Sequence, residues 1–519
     1  MRSNRRENQE NLSRGTHLAT FGSMNQPVMS YRRLALFGVA LLAGWTTGCA
    51  SAAGGAGPTA GEPGGMESDD GENGARADLD LLYGTRNGAW RSTYRPLPSG
   101  AALIRGGTVM TATGRTIEGG DVLLRDGKII AIGERLEAPA DAEVIDAAGR
   151  FVTPGLIDTH SHMGDYPDPG VAAHSDGNEA TSPTTPEVWA AHSVWPQDPA
   201  FARALAGGVT TVQVLPGSAN LIGGRGVTLK LVPARSVQGM MFPDAPMAVK
   251  MACGENPKRV YRSSGPSTRM GNIAGYRDAF IRAQRYRADW DEWMDSDRDE
   301  DAPDRDLAME TLAEILRGNL LPHIHCYRAD ELAQMIELAR EFEFDIRSFH
   351  HGVEAYKVRD LLAADSIGAS VWYNWWGFKM ESFDGIPENL ALLSEAGVPA
   401  ILHTDDDMGV QLMNQDAARA MYAGQAAGID VTRDQALRWI TANPAWALGI
   451  DDRVGALETG KNADLVIWSE DPFSVYAHAD QVFIDGALVY DRQRVDRQPR
   501  SDFELGILPE APTAGGGER

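Results

Sequence analysis

Residues 153–165 read TPGLIDTHSHMGD. Leu156 and Ile157 mark the end of a buried strand, and His160 and His162 follow two residues apart. Side chains alternate across an extended strand, so both imidazoles face the same way. Two neutral imidazoles on one face make half of a divalent-metal site. An isolated H-x-H is also common as two unrelated polar loop residues, so its weight depends on the rest of the chain.

Working outward, three more strand ends carry the same kind of residue. LPHIHCYR (321–328) ends on His323 and His325, DIRSFHHG (345–352) on His350 and His351, and VPAILHTDDD (398–407) on His403, Asp405, Asp406 and Asp407. Of 11 histidines in the chain, these four segments hold His160, His162, His323, His325, His350, His351 and His403. GVTTVQVLP (208–216) and IGASVWYNWW (367–376) read as further buried strands. Between them DELAQMIELAREFE (330–343), YKVRDLLAAD (356–365) and IPENLALLSEAG (386–397) place apolar residues at helical spacing. Strand–helix alternation implies a parallel sheet, either a barrel or a doubly wound sheet. Ligand-type residues at the C-terminal ends of successive strands are where barrel active sites are built.

The two ends of the chain have a different texture. ALIRGGTVMTA (102–112), GDVLLRDGKIIAIGE (120–134) and AEVIDAAGRFVTPG (142–155) are short, half-buried strands, with a hairpin signal at Asp126-Gly127. ADLVIWSEDP (463–472) and ADQVFIDGALVYD (479–491) repeat the pattern around Asp485-Gly486. They read as antiparallel and suggest a small β-sandwich contributed by both ends. The acidic stretch 289–306, DWDEWMDSDRDEDAPDRD, has no clean period and reads as a solvated surface insertion, with a mobile flap as the sharper alternative.

Composition sets the outer limits. The chain has 519 residues, 43% of them apolar, enough for one large α/β domain and a smaller companion. A net charge of −24 argues against nucleic-acid binding, because phosphate backbones attract basic surfaces. Three cysteines, Cys49, Cys253 and Cys326, give no disulfide framework. Arg32 and Arg33 precede the apolar run 34–45, and Cys49 follows Gly48, so residues 1–49 read as an export signal of lipoprotein type. Cys49 is then the expected lipid anchor, although Thr46 stands where such signals usually carry an aliphatic residue. The expectation is a periplasmic or membrane-anchored bacterial protein. Residues 50–78 are Gly, Ala, Ser and acid-rich and read as a disordered linker.

H-x-H after PGLID, then histidines and an aspartate at later strand ends, together with GALETGKNADLVIW (455–468), resemble the amidohydrolase superfamily, and within it the imidazolonepropionase-related branch. The resemblance runs from about Leu103 to Arg492 and implies an α/β fold. A (β/α)8 TIM barrel over 154–449 would carry a β-sandwich domain built from 79–153 and 450–495, with 496–519 as a C-terminal tail. It implies a metal-dependent hydrolase in which His160, His162, His325, His351 and Asp405 are ligands, with His323 and His350 as alternates. A bridging group is expected in PMAVKMACGENPKRVY (246–261): Lys250 as a carboxylated lysine, or Glu255. A buried lysine has a lowered pKa, leaving a neutral amine able to add carbon dioxide.

The reaction implied is hydrolysis of an amide, cyclic amide or dipeptide-like C–N bond by metal-activated water, with one or two divalent ions, zinc foremost. Asp405 would pass the proton to the leaving nitrogen, and His351 would help polarise the carbonyl. Arg259, in a run with Lys258, Arg262 and Arg269, and Tyr327 are candidate contacts to a small-molecule substrate. The aromatic run at 371–380 is expected to wall the pocket. The rivals are an ester, lactone or phosphotriester hydrolase on the same site, and a non-catalytic binding or scaffold barrel. An oligomer is compatible with the sequence.

Overall fold

The computed structural model describes residues 90–494 apart from Glu300, together with Asp496 and Gln498. The export signal, Cys49, the linker and most of the tail lie outside the described residues. The first strands are β1 (Ala102–Met110), β2 (Thr116–Arg125), β3 (Lys128–Glu134), β4 (Glu143–Asp146) and β5 (Phe151–Pro154). Then come β6 (Leu156–Ser161), β7 (Val209–Val214), β8 (Ile222–Arg225), β9 (Val227–Lys230) and β10 (Ala248–Ala252). β11 (Leu321–Cys326), β12 (Ser348–His351), β13 (Gly368–Val371) and β14 (Ala400–Leu402) follow, and β15 (Leu465–Trp468), β16 (Ala479–Ile484) and β17 (Ala487–Asp491) end the series.

The two chain ends form one hydrogen-bonded sheet, ordered β17-β16-β15-β5-β1-β2-β3, with β4 also on β1. Both hairpin turns fall at the Asp-Gly pairs, where φ is positive at Asp126, Gly127, Asp485 and Gly486. That double left-handed turn matches the twist of the strands it joins. The all-antiparallel expectation needs correction, because β1 pairs β4 and β5 in parallel. After β3 the chain returns to β1 and runs alongside it twice.

The middle of the chain is a mixed α/β layer structure. Strands β10 to β14 are mutually parallel and carry β8 at one edge, in the order β14-β13-β12-β11-β10-β8. A second sheet runs β6-β7-β9, with β6 and β7 parallel. Strands β6, β7 and β10 are buried at every position, as expected of parallel strands covered on both faces. The helices Pro199–Ala206 and Ala442–Ala447 pack on β7 and β6, and the helix Ala329–Phe342 shows the amphipathic pattern of this layer, with Leu332, Met335, Ile336 and Ala339 as its buried stripe.

These strand ladders do not join into one continuous closed barrel among the described residues. Gly226 separates β8, which pairs with β10, from β9, which pairs with β7, and its N–H donates to the Ala248 carbonyl of β10 at 2.8 Å. A Cβ at Gly226 would stand 2.5 Å from Leu215 Cδ2, which explains glycine at this close approach. Across the other gap, β14 meets β6 through Asp405 N–H donated to the His160 carbonyl at 3.1 Å.

Two further expectations change. The acidic segment is no free insertion at its start, because a helix runs from Arg269 to Asp295 and buries Trp290. Asp306 then caps the helix Leu307–Leu316, its carboxylate accepting from Ala308 and Met309 N–H. Cys253 and Cys326 are disulfide-bonded, with Cα atoms 5.3 Å apart. The cause is register: Ala252 pairs His325, which brings the residues that follow them side by side.

Candidate metal centre

At the C-terminal ends of the middle strands the sequence-predicted ligands gather. His160 Nε2 lies 3.4 Å from His162 Nε2, and Asp405 Oδ1 lies 3.5 Å from the former and 3.3 Å from the latter. His351 Nδ1 is 3.9 Å from Asp405 Oδ2, and the His325 and His351 rings are 4.5 Å apart. Two ligand sets share His160: one with His162 and Asp405, the other with His351 and His403, donor atoms in each set within 4.8 Å of one another. Lys250 is 1% exposed in the middle of β10, with Nζ 3.5 Å from His160 Nε2 and donating to the Pro216 carbonyl at 3.0 Å.

Backbone geometry decides which residue of each pair faces the centre. Strict alternation along β12 would send His350 and His351 to opposite faces. His351 instead has φ of 71°, a left-handed conformation uncommon for a non-glycine residue. Both rings consequently lie near His160, His350 at 4.8 Å and His351 at 4.6 Å between centroids. His350 is a link in a chain, with His160 Nδ1 2.7 Å from its Nδ1 and His323 Nδ1 2.7 Å from its Nε2. His323 and His350 thus form a chain of ring contacts ending on His160. His325 Nδ1 and His351 Nδ1 are buried without a hydrogen-bond partner, as are both ring nitrogens of His403. Buried polar atoms left unpaired in this way are costly unless something occupies them.

Two anchors hold the centre's shape. His162 Nδ1 is 2.8 Å from the Leu215 carbonyl, which fixes that nitrogen as the donor and leaves Nε2 as the free lone pair. Asp158 accepts from His160 N–H at 3.1 Å and Thr404 N–H at 3.3 Å, and also from the Thr404 hydroxyl. It ties the segment carrying Asp405, whose φ is 53°, to β6.

Electrostatics favours neutral ligands. Burial lowers the pKa of His160, His325, His350 and His351 well below the usual imidazole value, and that of His323 and His403 to about 3. Unprotonated imidazole is the metal-binding form. Burial also pushes the Lys250 ammonium down to about 7 and Asp158 up to about 7.

The other expected contacts fare differently. Tyr327 is buried against the cluster, 4.7 Å from His325 and 5.5 Å from His351 between ring centroids. Arg259 is exposed on the helix Glu255–Val260. Glu255 faces Lys379 Nζ at 3.7 Å. Sequence reasoning gave no role to Asp158, His403, Asn256 or Lys379. Asn256 Nδ2 lies 3.3 Å from His325 Nε2, and Lys379 donates to Asn256 Oδ1 at 3.1 Å. All four stood inside quoted stretches, but nothing in the sequence brought Asn256, on the helix Glu255–Val260, together with Lys379.

Residues 357–490 match the amidohydrolase family. A solved structure of an amidohydrolase from Thermotoga maritima is 39% identical to this chain, with a TM-score of 0.70, covering 75% of this chain and 100% of that one. The amidohydrolase tasK of Hapsidospora irregularis is 35% identical over 421 residues, 76% of this chain and 42% of its own length. An imidazolonepropionase from Rhizorhabdus wittichii is 26% identical over 387 residues, 68% of this chain and 88% of that protein. This chain belongs to the amidohydrolase superfamily. It thus spans less than half the length of tasK, and it matches only 28% of the length of a similar dihydroorotase from Geotalea daltonii.

Proposed function

We propose that this enzyme is a metal-dependent hydrolase of a C–N bond in an amide, cyclic amide or dipeptide-like substrate. The observation that carries the reading is the pair of ligand sets sharing the buried, neutral His160. Its strands support a (β/α)8 barrel over 154–449, interrupted at Gly226 and between β14 and β6. The end sheet, built from strands within 102–154 and 465–491, supports a companion domain, for which we retain the β-sandwich reading.

The donor set fits a divalent cation, because His325, His351 and His403 carry orphaned buried nitrogens, their rings cluster around His351, and His351 Nδ1 lies 3.9 Å from the Asp405 carboxylate. His160, His162, His325, His351 and Asp405 would hold it, joined by His403 and by Lys250 as a carboxylated bridge. Such an ion, zinc foremost, supplies Lewis acidity that acidifies water and polarises a carbonyl. The protein's own part is proton handling and orientation. Asp405 takes the proton from the attacking water on one carboxylate oxygen and delivers it to the leaving nitrogen. Asp158 and the His160–His350–His323 chain keep Asp405 and His160 in place. Tyr327 walls the substrate side, and Arg259 is the rim cation for a substrate carboxylate.

Metal content of purified protein, measured with turnover of N-acyl amino acids, dipeptides, cyclic amides, esters, lactones and phosphotriesters, tests the assignment. Turnover confined to the oxygen esters moves the reading to that bond class. Absence of any bound transition metal would leave a binding or scaffold protein. The Cys253–Cys326 disulfide supports the export reading, since such bonds persist in oxidising compartments.

A further inference from the structure

A cavity of about 310 Å³ opens directly from His351 and is lined by Trp372, Trp375, Trp376, Ile386 and Pro387. Its rings form a staircase leaving the histidine cluster. Trp372 stacks on His351 with centroids 4.2 Å apart and planes at 25°, and Trp375 stacks on Trp372 at 4.7 Å and 15°. Phe378 stands edge-on to both tryptophans, at 5.9 Å from Trp372 and 6.0 Å from Trp375. The inner step is buried, Trp372 being 8% exposed, whereas Trp375, Trp376 and Phe378 are 37%, 60% and 56% exposed. Grouping three large aromatic side chains in water at the mouth of a polar site forgoes the burial that usually stabilises such residues. Trp375, the second stacking step out from His351, is partly exposed and lines the cavity that opens from that histidine.

We infer that this face is a specificity subsite for an aromatic side chain adjacent to the scissile C–N bond, with Trp375 as its principal determinant. The inference rests on the reading of His351 as part of the catalytic centre. A planar ring on Trp375 continues the existing stack in the offset arrangement that aromatic pairs favour. An aliphatic side chain of similar size gains the contact area without the stacking, and a hydrogen gains neither. Aromatic, aliphatic and unsubstituted substrates should therefore rank in that order. Trp375 positions and selects, and takes no part in bond breaking.

The test uses N-acetylphenylalanine, N-acetylleucine and N-acetylglycine, which share one head group and differ only in the side chain. Binding to the full chain is followed by quenching of tryptophan fluorescence and, independently, by calorimetry. The expected order is phenylalanine over leucine over glycine, with at least tenfold between the first and last. In Trp375→Ala the phenylalanine advantage over leucine should vanish, and in Trp375→Phe it should largely return. Equal affinities, no measurable binding of the phenylalanine compound, or an aromatic preference that survives in Trp375→Ala would each overturn the subsite. A sedimentation shift to smaller species in Trp375→Ala, with the ligand ranking unchanged, would assign the face to a second copy of the chain and overturn it too. Aromatic-selective binding by protein that holds no transition metal and turns over none of the amide and ester panel supports the subsite and counts against the hydrolase reading, so the two failures are distinct.

Discussion

Lys250 and His160 sit on separate strands with Nζ and Nε2 3.5 Å apart, and both are almost fully buried. Among the described residues no carboxylate lies within salt-bridge distance of the amine, which donates to the Pro216 carbonyl at 3.0 Å. Burial shifts the amine toward its neutral form, with a pKa of about 7. A neutral amine beside imidazoles is the reactant that carbon dioxide needs to form a carbamate, which would add an anionic oxygen donor there.

Carboxylation of Lys250 should be visible directly. Protein equilibrated with 13C-labelled bicarbonate is expected to show a protein-bound carbamate signal in carbon NMR. Because Lys250 loses its proton as pH rises through about 7, the signal should strengthen from pH 6 to pH 8. It should be missing in Lys250→Ala, along with part of the bound metal. A wild-type spectrum without the signal at pH 8 would leave Lys250 as a plain amine.

In the proposed mechanism Asp405 carries the proton transfer. General acid–base groups contribute roughly 10²–10⁴-fold to rate. Asp405→Asn should lower kcat by about that factor while metal stays bound, since the histidines remain. Near wild-type kcat in this variant, with metal content confirmed, would remove Asp405 from the mechanism.

How much of this was legible follows from what each residue's position depends on. His160 and His162 are fixed by the period of a strand, and a period can be read from sequence. That both His350 and His351 approach His160 goes with a left-handed backbone angle at His351, which no pattern announces. Lys379 reaches Asn256 across 123 residues of chain, a meeting decided by loop packing. The cysteine pair is intermediate: 73 residues separate Cys253 from Cys326, and only the neighbour relation of β10 and β11 brings them together. Likewise, the acidic composition of 289–306 hid the continuing helix, because one buried face around Trp290 suffices to extend it.

The disulfide closes a loop with a sequence separation of 73 residues. Cross-linking a loop of that length limits the unfolded chain and typically stabilises a protein by about 2–4 kcal/mol. The Cys253→Ser/Cys326→Ser double variant should lose about that much in urea denaturation, and reducing agent should lower wild-type stability to match. If reduced and oxidised wild type unfold at one urea concentration, the cross-link contributes nothing.

Lys230 joins the end sheet to the middle layer through charge. Its Nζ, on β9, is 3.0 Å from Asp464 Oδ2 and 3.0 Å from Asp485 Oδ1, and all three side chains are at most 7% exposed. Removing one partner of a buried ion cluster strands the rest, at a cost of about 3–5 kcal/mol. Lys230→Met should be destabilised by that amount near neutral pH. Burial raises the pKa of Asp464 even with the lysine present. A carboxylate raised in the folded state contributes stability at pH below its unfolded value and loses it as pH rises through the folded value. Without the lysine that rise should grow, so the variant's deficit relative to wild type should shrink as pH falls from 7 toward 4.5. Urea midpoints for both proteins across that range decide it, and a deficit that stays constant or widens on acidification would show that the two aspartates are not held as charges by Lys230.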